Sequence, residues 1–325
     1  MPLRPLEFRD RPVVEDLLLK NPFKQNQIEF QRLDRESLAS FHLHRLMGRL
    51  DSSQSPLFLM EKGREVGIFG YQVNKKHSDF FEKLVFILDL VISYKLDRPS
   101  IQEALVSLKS RMVAQGAQTI WGQCEEADTD LVQSFGRAGA DYCGTSMRMS
   151  LWLEKFNFTD PPEGLTIRSA EKGDRGPLRE IATRSHRHSR FFRDPHLPEE
   201  KKREIFPDYL ESCQEAGRPC LVAVDGAGRV SGFSLLVCPE GQEASLGRRI
   251  GIVDFIAVDP ERQGGGVGGA LLAESLRSLK KGGYELVELK TQLDNWGAIG
   301  FYSRWGFRPI SAETHYSFGK KETEI

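Results

Sequence analysis

A chain of 325 residues, 39% hydrophobic and 28% charged, has the makeup of a folded globular protein and is long enough for two domains of ordinary size. Its formal net charge of −1 offers no overall attraction to nucleic acid or anionic lipid, and neither is an expected partner. No apolar run reaches the roughly 18–20 residues of a membrane span, Met1-Pro2-Leu3-Arg4-Pro5 lacks the apolar core of a secretory signal, and five cysteines without a Cys-x-x-Cys pair favour free thiols and a cytoplasmic setting over disulfides or structural zinc.

In the first half, Leu57 to Met60 and Val66 to Val73 read as a hairpin around Lys62-Gly63-Arg64. The apolar run Leu84 to Tyr94, interrupted by Asp89, reads as a buried strand. The segment that follows it, Lys95-Leu96-Asp97-Arg98-Pro99-Ser100, contains no glycine. Lys155 to Gly164 holds two prolines and a glycine, which suppress regular structure. The expected organisation is therefore a domain over 1–154, a linker over 155–164 and a second domain over 165–325.

The second half begins with a short strand, Leu165 to Arg168, and a predicted helix, Asp174 to Ser185. A basic, aromatic stretch to Phe192 follows, then a predicted helix from Glu199 to Glu215. Cys220 to Val224 and Val230 to Val237 form a hairpin turning at Asp225-Gly226-Ala227-Gly228. A strand from Arg249 to Val258 leads across Asp259-Pro260-Glu261-Arg262 into Gln263-Gly264-Gly265-Gly266-Val267-Gly268-Gly269, and a predicted helix runs to Lys281, stopped by Gly282-Gly283. Leu286 to Thr291 is a strand, Trp296 to Trp305 a helix and Thr314 to Phe318 a last strand. The pattern is a mixed α+β sheet with helices on both faces. It is not a Rossmann unit, because the glycine spacing differs and the next strand lacks a ribose-binding carboxylate. Pairing the halves at an offset of 167 residues aligns Gly116 with Gly283, Phe135 with Tyr302, Arg137 with Arg304 and Gly139 with Gly306, so a tandem duplication is expected.

Strand, glycine-rich turn and helix together make an anion cradle. Amide groups converge at the helix start, the helix dipole adds partial positive charge, and glycines let a phosphate approach the backbone. The turn, preceded by Ile256-Ala257-Val258, resembles the acetyl-coenzyme A loop of the GNAT acetyltransferase superfamily. Asn295-Trp296-Gly297-Ala298, with Tyr302 and Gly306-Phe307, resembles a second signature of that superfamily, about thirty residues downstream. The resemblance covers Leu165 to the C-terminus. It implies tandem GNAT-like domains, acetyl-coenzyme A as cosubstrate without a metal, and N-acetyl transfer to an amine. It also implies that backbone at Ile256, Ala257 and Val258 holds the pantetheine arm, that Gln263 through Gly269 hold the pyrophosphate, and that Asn295 touches the cofactor besides capping its helix. The first half, with Asp97 at the phosphate position and Phe135 in place of a tyrosine, is expected to be a degenerate copy that binds no acetyl-coenzyme A.

Acyl transfer from a thioester to an amine needs the acetyl group held beside the amine, the amine deprotonated and the thiolate protonated. Tyr302 is the candidate acid. A thiol near pKa 8.5 and a phenol near 10 leave the transfer uphill by roughly 2 kcal/mol. Asp254 is a candidate base; strand alternation puts it on the face of Ile252 and Ile256, amid apolar residues that would raise its pKa. Pairing with Arg248 or Arg249 is the alternative, and His186 and His188 are further candidates for the base.

The stretch Ser185-His186-Arg187-His188-Ser189-Arg190-Phe191-Phe192-Arg193-Asp194-Pro195 mixes cations with aromatics where the superfamily builds its acceptor site. Arginine forks suit phosphate and aromatic rings suit bases, so Arg190, Phe191, Phe192 and Arg193 are candidate contacts to an anionic amine such as a nucleotide-linked amino sugar. Ser189-Arg190-Phe191, the Asp194-Pro195 pair and Thr291-Gln292 with Asn295 resemble bacterial TDP-4-amino-4,6-dideoxygalactose (fucosamine) N-acetyltransferases. Those proteins also carry an N-terminal domain similar to Asp79 through Leu151, and the first eighty or so residues here exceed that pattern. A protein or peptide N-acetyltransferase, or a non-catalytic acetyl-coenzyme A-binding protein, are the alternative readings.

Overall fold

The computed structural model describes residues 3–21, 25–50, 55–154, 156, 162–185, 188–241 and 246–319. Its strands are β1 (Arg4–Pro5), β2 (Leu57–Lys62), β3 (Glu65–Val73), β4 (Val85–Tyr94), β5 (Thr119–Glu125), β6 (Asp141–Trp152), β7 (Leu165–Ser169), β8 (Cys220–Asp225), β9 (Val230–Val237), β10 (Ile250–Val258), β11 (Leu286–Gln292) and β12 (Arg308–Gly319). The helices that matter below are α1 (Arg11–Lys20), α2 (Gln25–Gln31), α3 (Arg35–Met47), α4 (Lys75–Phe81), α5 (Arg98–Ala114), α6 (Thr129–Arg137), α7 (Arg175–Ser185), α8 (Arg190–Arg193), α9 (Glu199–Lys202), α10 (Ile205–Glu215), α11 (Val267–Lys281) and α12 (Trp296–Arg304).

Two compact units emerge, one of residues 1–147, 193–198 and 310–325, the other of 148–192 and 199–309. In the first, the strand order is β1-β2-β3-β4-β5-β12-β6. β4 and β5 run parallel, while β1–β2, β2–β3, β3–β4 and β5–β12 are antiparallel. In the second, the order is β6-β11-β10-β9-β8-β7, with β10–β11 parallel and β10–β9, β9–β8 and β8–β7 antiparallel. Each is a mixed sheet. In the second unit α7 and α10 bury Leu178, Ile181, Leu210 and Cys213 against Phe233, Phe255 and Ala257, while Leu271 of α11 packs with Ala223 on the other face. The alternating apolar positions of β10 thus feed two separate helix layers.

The duplication is visible in the order of elements: apart from α4, which stands between β3 and β4, β2-β3-β4-α5-β5-α6 corresponds to β8-β9-β10-α11-β11-α12. It extends to the very start of the chain. Arg4, Glu7 and Asp10 build a capping box closed by an Arg4–Asp10 ion pair at 2.7 Å, and Arg168, Glu171 and Asp174 build the same device at the same distance. The first eighty residues therefore belong to the first unit, opening its sheet as β7 opens the second. The predicted 199–215 helix is broken into α9 and α10, and the predicted 263 start moves to Val267, because Gly264 and Gly266 take φ of 83° and 82° before the helix begins. None of the five cysteines is in a disulfide. Among the described residues, no helix is long and apolar enough to cross a membrane.

The units are not consecutive stretches of sequence. The division expected at residues 155–164 gives way to a composition in which 310–325 and 193–198 join the first unit and 148–152 of β6 joins the second. Most of the expected linker lies outside the described residues. Tyr316 and Phe318 of β12 are buried in the core that holds Phe86, Ile120 and Phe135. A fragment of residues 165–325 would strip those side chains of that core and lose residues 148–152. We expect it to bind a hydrophobic dye and to melt well below the whole chain; a fragment as stable as the whole chain, without dye binding, would count against this division.

Candidate active site

The parallel pairing of β10 with β11 is short. It joins Ile250 to Leu286, Gly251 to Val287 and Ile252 to Glu288, and stops there. β10 continues to Val258 alongside β9 and β11 continues to Gln292. From Val253 onward the edge of β10 that faces β11 has left the ladder, so a fork opens between the two strands. A β-bulge sits where it opens: Val253 pairs with Leu236 and Phe255 with Leu235, leaving Asp254 as the extra residue. Bulges of this kind re-aim side chains. Before it, Gly251 faces Leu279 of α11, whose methyl would lie 2.7 Å from a Cβ there. After it, Phe255 turns to the α7 and α10 side, while Ile256 and Val258 pack with Val267 and Leu271 on the α11 side.

Beyond the fork, Asp259 caps a short turn by accepting from the Glu261 amide at 3.0 Å. Arg184, near the end of α7, holds the turn through Glu261 at 2.7 Å and Asp259 at 3.5 Å. Gln263 folds back to donate to the Val258 carbonyl at 3.4 Å. Gly264 and Gly265 are exposed, and a Cβ on Gly264 would meet nothing within 4 Å. Gly266 is the left-handed cap of α11, a helix of 15 residues whose first amides have no side-chain cap. The first amides of α11 are therefore left without a side-chain partner, beside open space at Gly264, an arrangement that suits an anion.

α12 leans on this helix start. The Phe301 ring comes within 3.9 Å of a Cβ position at Gly268, and the Trp305 ring within 3.2 Å of one at Gly269. Small residues are thus needed at Gly268 and Gly269 for the contact between the two helices. Asn295 caps α12, accepting from the Ala298 amide at 3.2 Å. Tyr302 is 7% exposed and lies edge-on to Phe301 and Phe307. Its hydroxyl has no hydrogen-bond partner among the described residues. Burial pushes its pKa well above the ordinary phenol value, so it keeps its proton at any neutral pH.

Two expectations for Asp254 need correction. Alternation put it on the face of Ile256; the bulge places it instead with Phe255 on the α10 side. It is exposed, not enclosed by apolar residues, and it pairs with neither Arg248 nor Arg249. Tyr209 of α10 donates a short hydrogen bond to its carboxylate, and Arg218 lies 3.6 Å away. Arg248 pairs with Glu285 at 3.3 Å, and the Arg249 guanidinium lies over the Tyr284 ring at 4.9 Å. Burial followed by the bond to Asp254 raises the Tyr209 pKa far above the ordinary phenol range. Tyr209 and Arg218 were not singled out from the sequence. The apolar spacing of Ile205, Phe206, Tyr209, Leu210 and Cys213 marks Tyr209 as inward-facing, but nothing local announces the bulge that brings Asp254 to it.

The basic, aromatic stretch forms the single turn α8. The Arg190 guanidinium lies over the Phe191 ring at 4.5 Å. Phe191 meets Phe206 of α10 at 6.3 Å between ring centroids, and Phe206 meets Phe255 of β10 at 5.6 Å. This chain of rings ties α8 to the strand that carries Asp254. Arg190, Phe191 and Phe192 belong to the second unit, whereas Arg193 falls in the 193–198 segment of the first. His188 is bonded to Asp294 at 3.3 Å, and His186 lies outside the described residues. Among the described residues, no group of three or more His, Cys, Asp or Glu side chains could hold a metal ion.

The first unit repeats the fork without the cradle. Where the second has glycines, Asp97 caps α5 by accepting from the Ser100 amide at 2.9 Å and pairs with Lys62 at 2.5 Å. The counterpart of Tyr302 is Phe135, buried and stacked on Tyr316 at 4.6 Å.

Residues 178–307 match the model of the acetyltransferase (GNAT) family. The mycothiol acetyltransferase of Saccharomonospora viridis is 38% identical over 99 residues, which is 30% of this chain and 32% of that protein. The spore coat polysaccharide biosynthesis protein SpsD of Bacillus subtilis is 30% identical over 148 residues, 46% of this chain and 47% of that one. The chain thus spans about a third to a half of the length of the curated relatives it matches. Among solved structures, a GCN5-related N-acetyltransferase from Sphaerobacter thermophilus superimposes with a TM-score of 0.63 at 18% identity, over 98% of this chain and 95% of that one. A tandem GNAT protein from the clavulanic acid biosynthesis pathway superimposes with a TM-score of 0.59 at 15% identity, over 98% of both chains. At these identities the likeness is one of fold, and it extends over both units.

Proposed function

We propose that this chain, whose residues 178–307 carry an acetyltransferase (GNAT) family domain, transfers an acetyl group from acetyl-coenzyme A to the primary amine of a small anionic acceptor. The observation that carries the reading is the fork between β10 and β11, which opens at Ile252 and Glu288 and is followed on β10 by the glycine-lined start of α11. The freed edge of β10 at Ile256, Ala257 and Val258 suits the amides of a pantetheine arm. The turn from Gln263 to Gly269 suits its pyrophosphate, with Asn295 alongside. Acetyl-coenzyme A supplies the activated acetyl group.

The remaining work falls to the chain's own residues. Asp254 receives the proton of the acceptor amine, either directly or through Tyr209, which already shares a hydrogen bond with it. Tyr302 donates a hydrogen bond toward the departing sulfur. Because burial raises its pKa, complete proton transfer is costlier than the roughly 2 kcal/mol separating a free phenol from a free thiol, so hydrogen-bond donation is its main contribution. The first unit, with its helix start capped by Asp97, takes no acetyl-coenzyme A, and equilibrium binding should give one site per chain.

For the acceptor, Arg190 with Phe191 and Phe192 suits a phosphate beside a flat ring, as in a nucleotide-linked amino sugar. The match to a polysaccharide biosynthesis protein favours a sugar amine, and the matches to mycothiol acetyltransferases favour a small molecule over a protein. A panel of amines tested with acetyl-coenzyme A and a free-thiol readout decides the matter. Nucleotide-linked amino sugars should turn over, and turnover of peptides alone would refute the reading. Arg190→Ala should raise the KM of the anionic acceptor, the more so at low salt, and leave acetyl-coenzyme A affinity unchanged. Equal weakening of both substrates would assign the arginine a structural role.

A further inference from the structure

The first unit keeps a fork of its own. β4 and β5 pair only from Val85–Thr119 to Leu88–Gly122, after which β4 continues along β3 to Tyr94 and β5 along β12 to Glu125. A cavity of about 340 Å³ occupies the opening. That is near the small end of ligand sites, which run from about 300 to 1,000 Å³.

One wall is helical. Arg35, Leu38, His42, Arg45 and Arg49 line the cavity at spacings of three and four residues, one face of α3 and its C-terminal extension. Arg49 is held by Asp89 of β4 at 2.8 Å. Arg35 donates to the Leu19 carbonyl at 2.9 Å, to the Asn21 carbonyl at 3.4 Å and to the Gln25 side-chain oxygen, and Arg45 rests against the Phe41 ring at 5.9 Å. Neither of these two guanidiniums has a carboxylate partner among the described residues. The opposite wall is acidic. Glu125 of β5 and Glu313 of β12 are direct cross-strand partners, and Asp128, 5% exposed, caps α6 just beyond them. Burial raises the Asp128 pKa, and burial followed by the fields of Asp128, Glu125, Glu126 and Glu313 lifts the Cys124 thiol far above its usual range. Ala39, Leu46, Val91 and Leu131 supply the apolar part of the lining, beside Ser93 and Gln123.

From this arrangement we infer that the cavity of the first unit binds a small zwitterion, with its ammonium group on Glu125, Asp128 and Glu313 and its carboxylate toward Arg35 and Arg45. The site is separate from the acetyl-coenzyme A cradle of the second unit and does not depend on the proposed activity. A molecule carrying both charges satisfies both walls, and an apolar stem of a few methylenes fills the middle.

The test is calorimetry on the whole chain with three probes of equal length: 4-aminobutyrate, 1,4-diaminobutane and succinate. The zwitterion should bind and the other two should bind at least about tenfold more weakly, since each meets one wall with the wrong charge. Asp128→Asn keeps an oxygen for the helix cap and removes only charge, and Arg45→Ala removes the opposite charge. Each should weaken 4-aminobutyrate at least about tenfold. Ala39→Phe fills the cavity without altering charge and should abolish binding, with circular dichroism and acetyl-coenzyme A binding unchanged as evidence of an intact fold. No heat with 4-aminobutyrate, tighter binding of the diamine or of succinate, or binding that survives Ala39→Phe would each overturn the inference.

Discussion

Gly266→Glu is expected to abolish acetyl-coenzyme A binding while the chain stays folded. Two effects act together at this position. A carboxylate is placed at the start of α11, where the proposed pyrophosphate site lies, and like charges there repel. The backbone also resists: Gly266 has φ of 82°, and a Cβ would come within 3.0 Å of Pro162. An L-residue in that conformation costs about 1–2 kcal/mol, too little to unfold most domains. Gly265→Glu separates the two effects. Gly265 has no positive φ, and a Cβ there meets only the Arg262 carbonyl at 3.7 Å. Calorimetry should therefore show binding lost in both variants and largely kept in Gly266→Ala. Undiminished affinity in Gly265→Glu would remove the glycine turn from the cofactor site.

Tyr302→Phe should lower turnover by about 10²–10³-fold, the usual worth of one preorganised hydrogen-bond donor. Acetyl-coenzyme A affinity should hardly change, because in the proposed reaction the hydroxyl acts on the sulfur only as the thioester bond breaks. The ring packing against Phe301 and Phe307 survives the substitution, so stability should be preserved. The pH dependence gives a second reading. With the Tyr302 pKa raised by burial, the neutral phenol is retained as pH climbs through about 10, where a free tyrosine ionises. Its preference for the neutral form stabilises the fold below that pH, and this contribution is lost as pH rises toward the folded value. Any fall in wild-type activity between pH 8 and about 9.5 should therefore persist in the phenylalanine variant, having another origin. If Tyr302→Phe turns over like the wild type, water protonates the thiolate and Tyr302 is a core residue.

The glycine turn, the strand before it and the helix after it were legible in the sequence, because their causes are local. Gly264 and Gly266 are glycines where the backbone takes positive φ, Asn295 is a capping residue where a helix begins, and the apolar run to Val258 is a strand. The duplication was legible in part. The offset that pairs Phe135 with Tyr302 misses the Arg4–Asp10 and Arg168–Asp174 devices, which stand at a different spacing.

What only the tertiary structure decided depends on pairing between distant segments. The last strand of the sequence packs Tyr316 and Phe318 into the first unit, which no linear boundary can express. The fork follows from where β10 and β11 stop sharing hydrogen bonds, a property of two strands and not of either alone. The bulge at Asp254 depends on its register against β9. One extra residue there moved the carboxylate from the face of Ile256 to Tyr209 and Arg218, because strand alternation holds only while the register does.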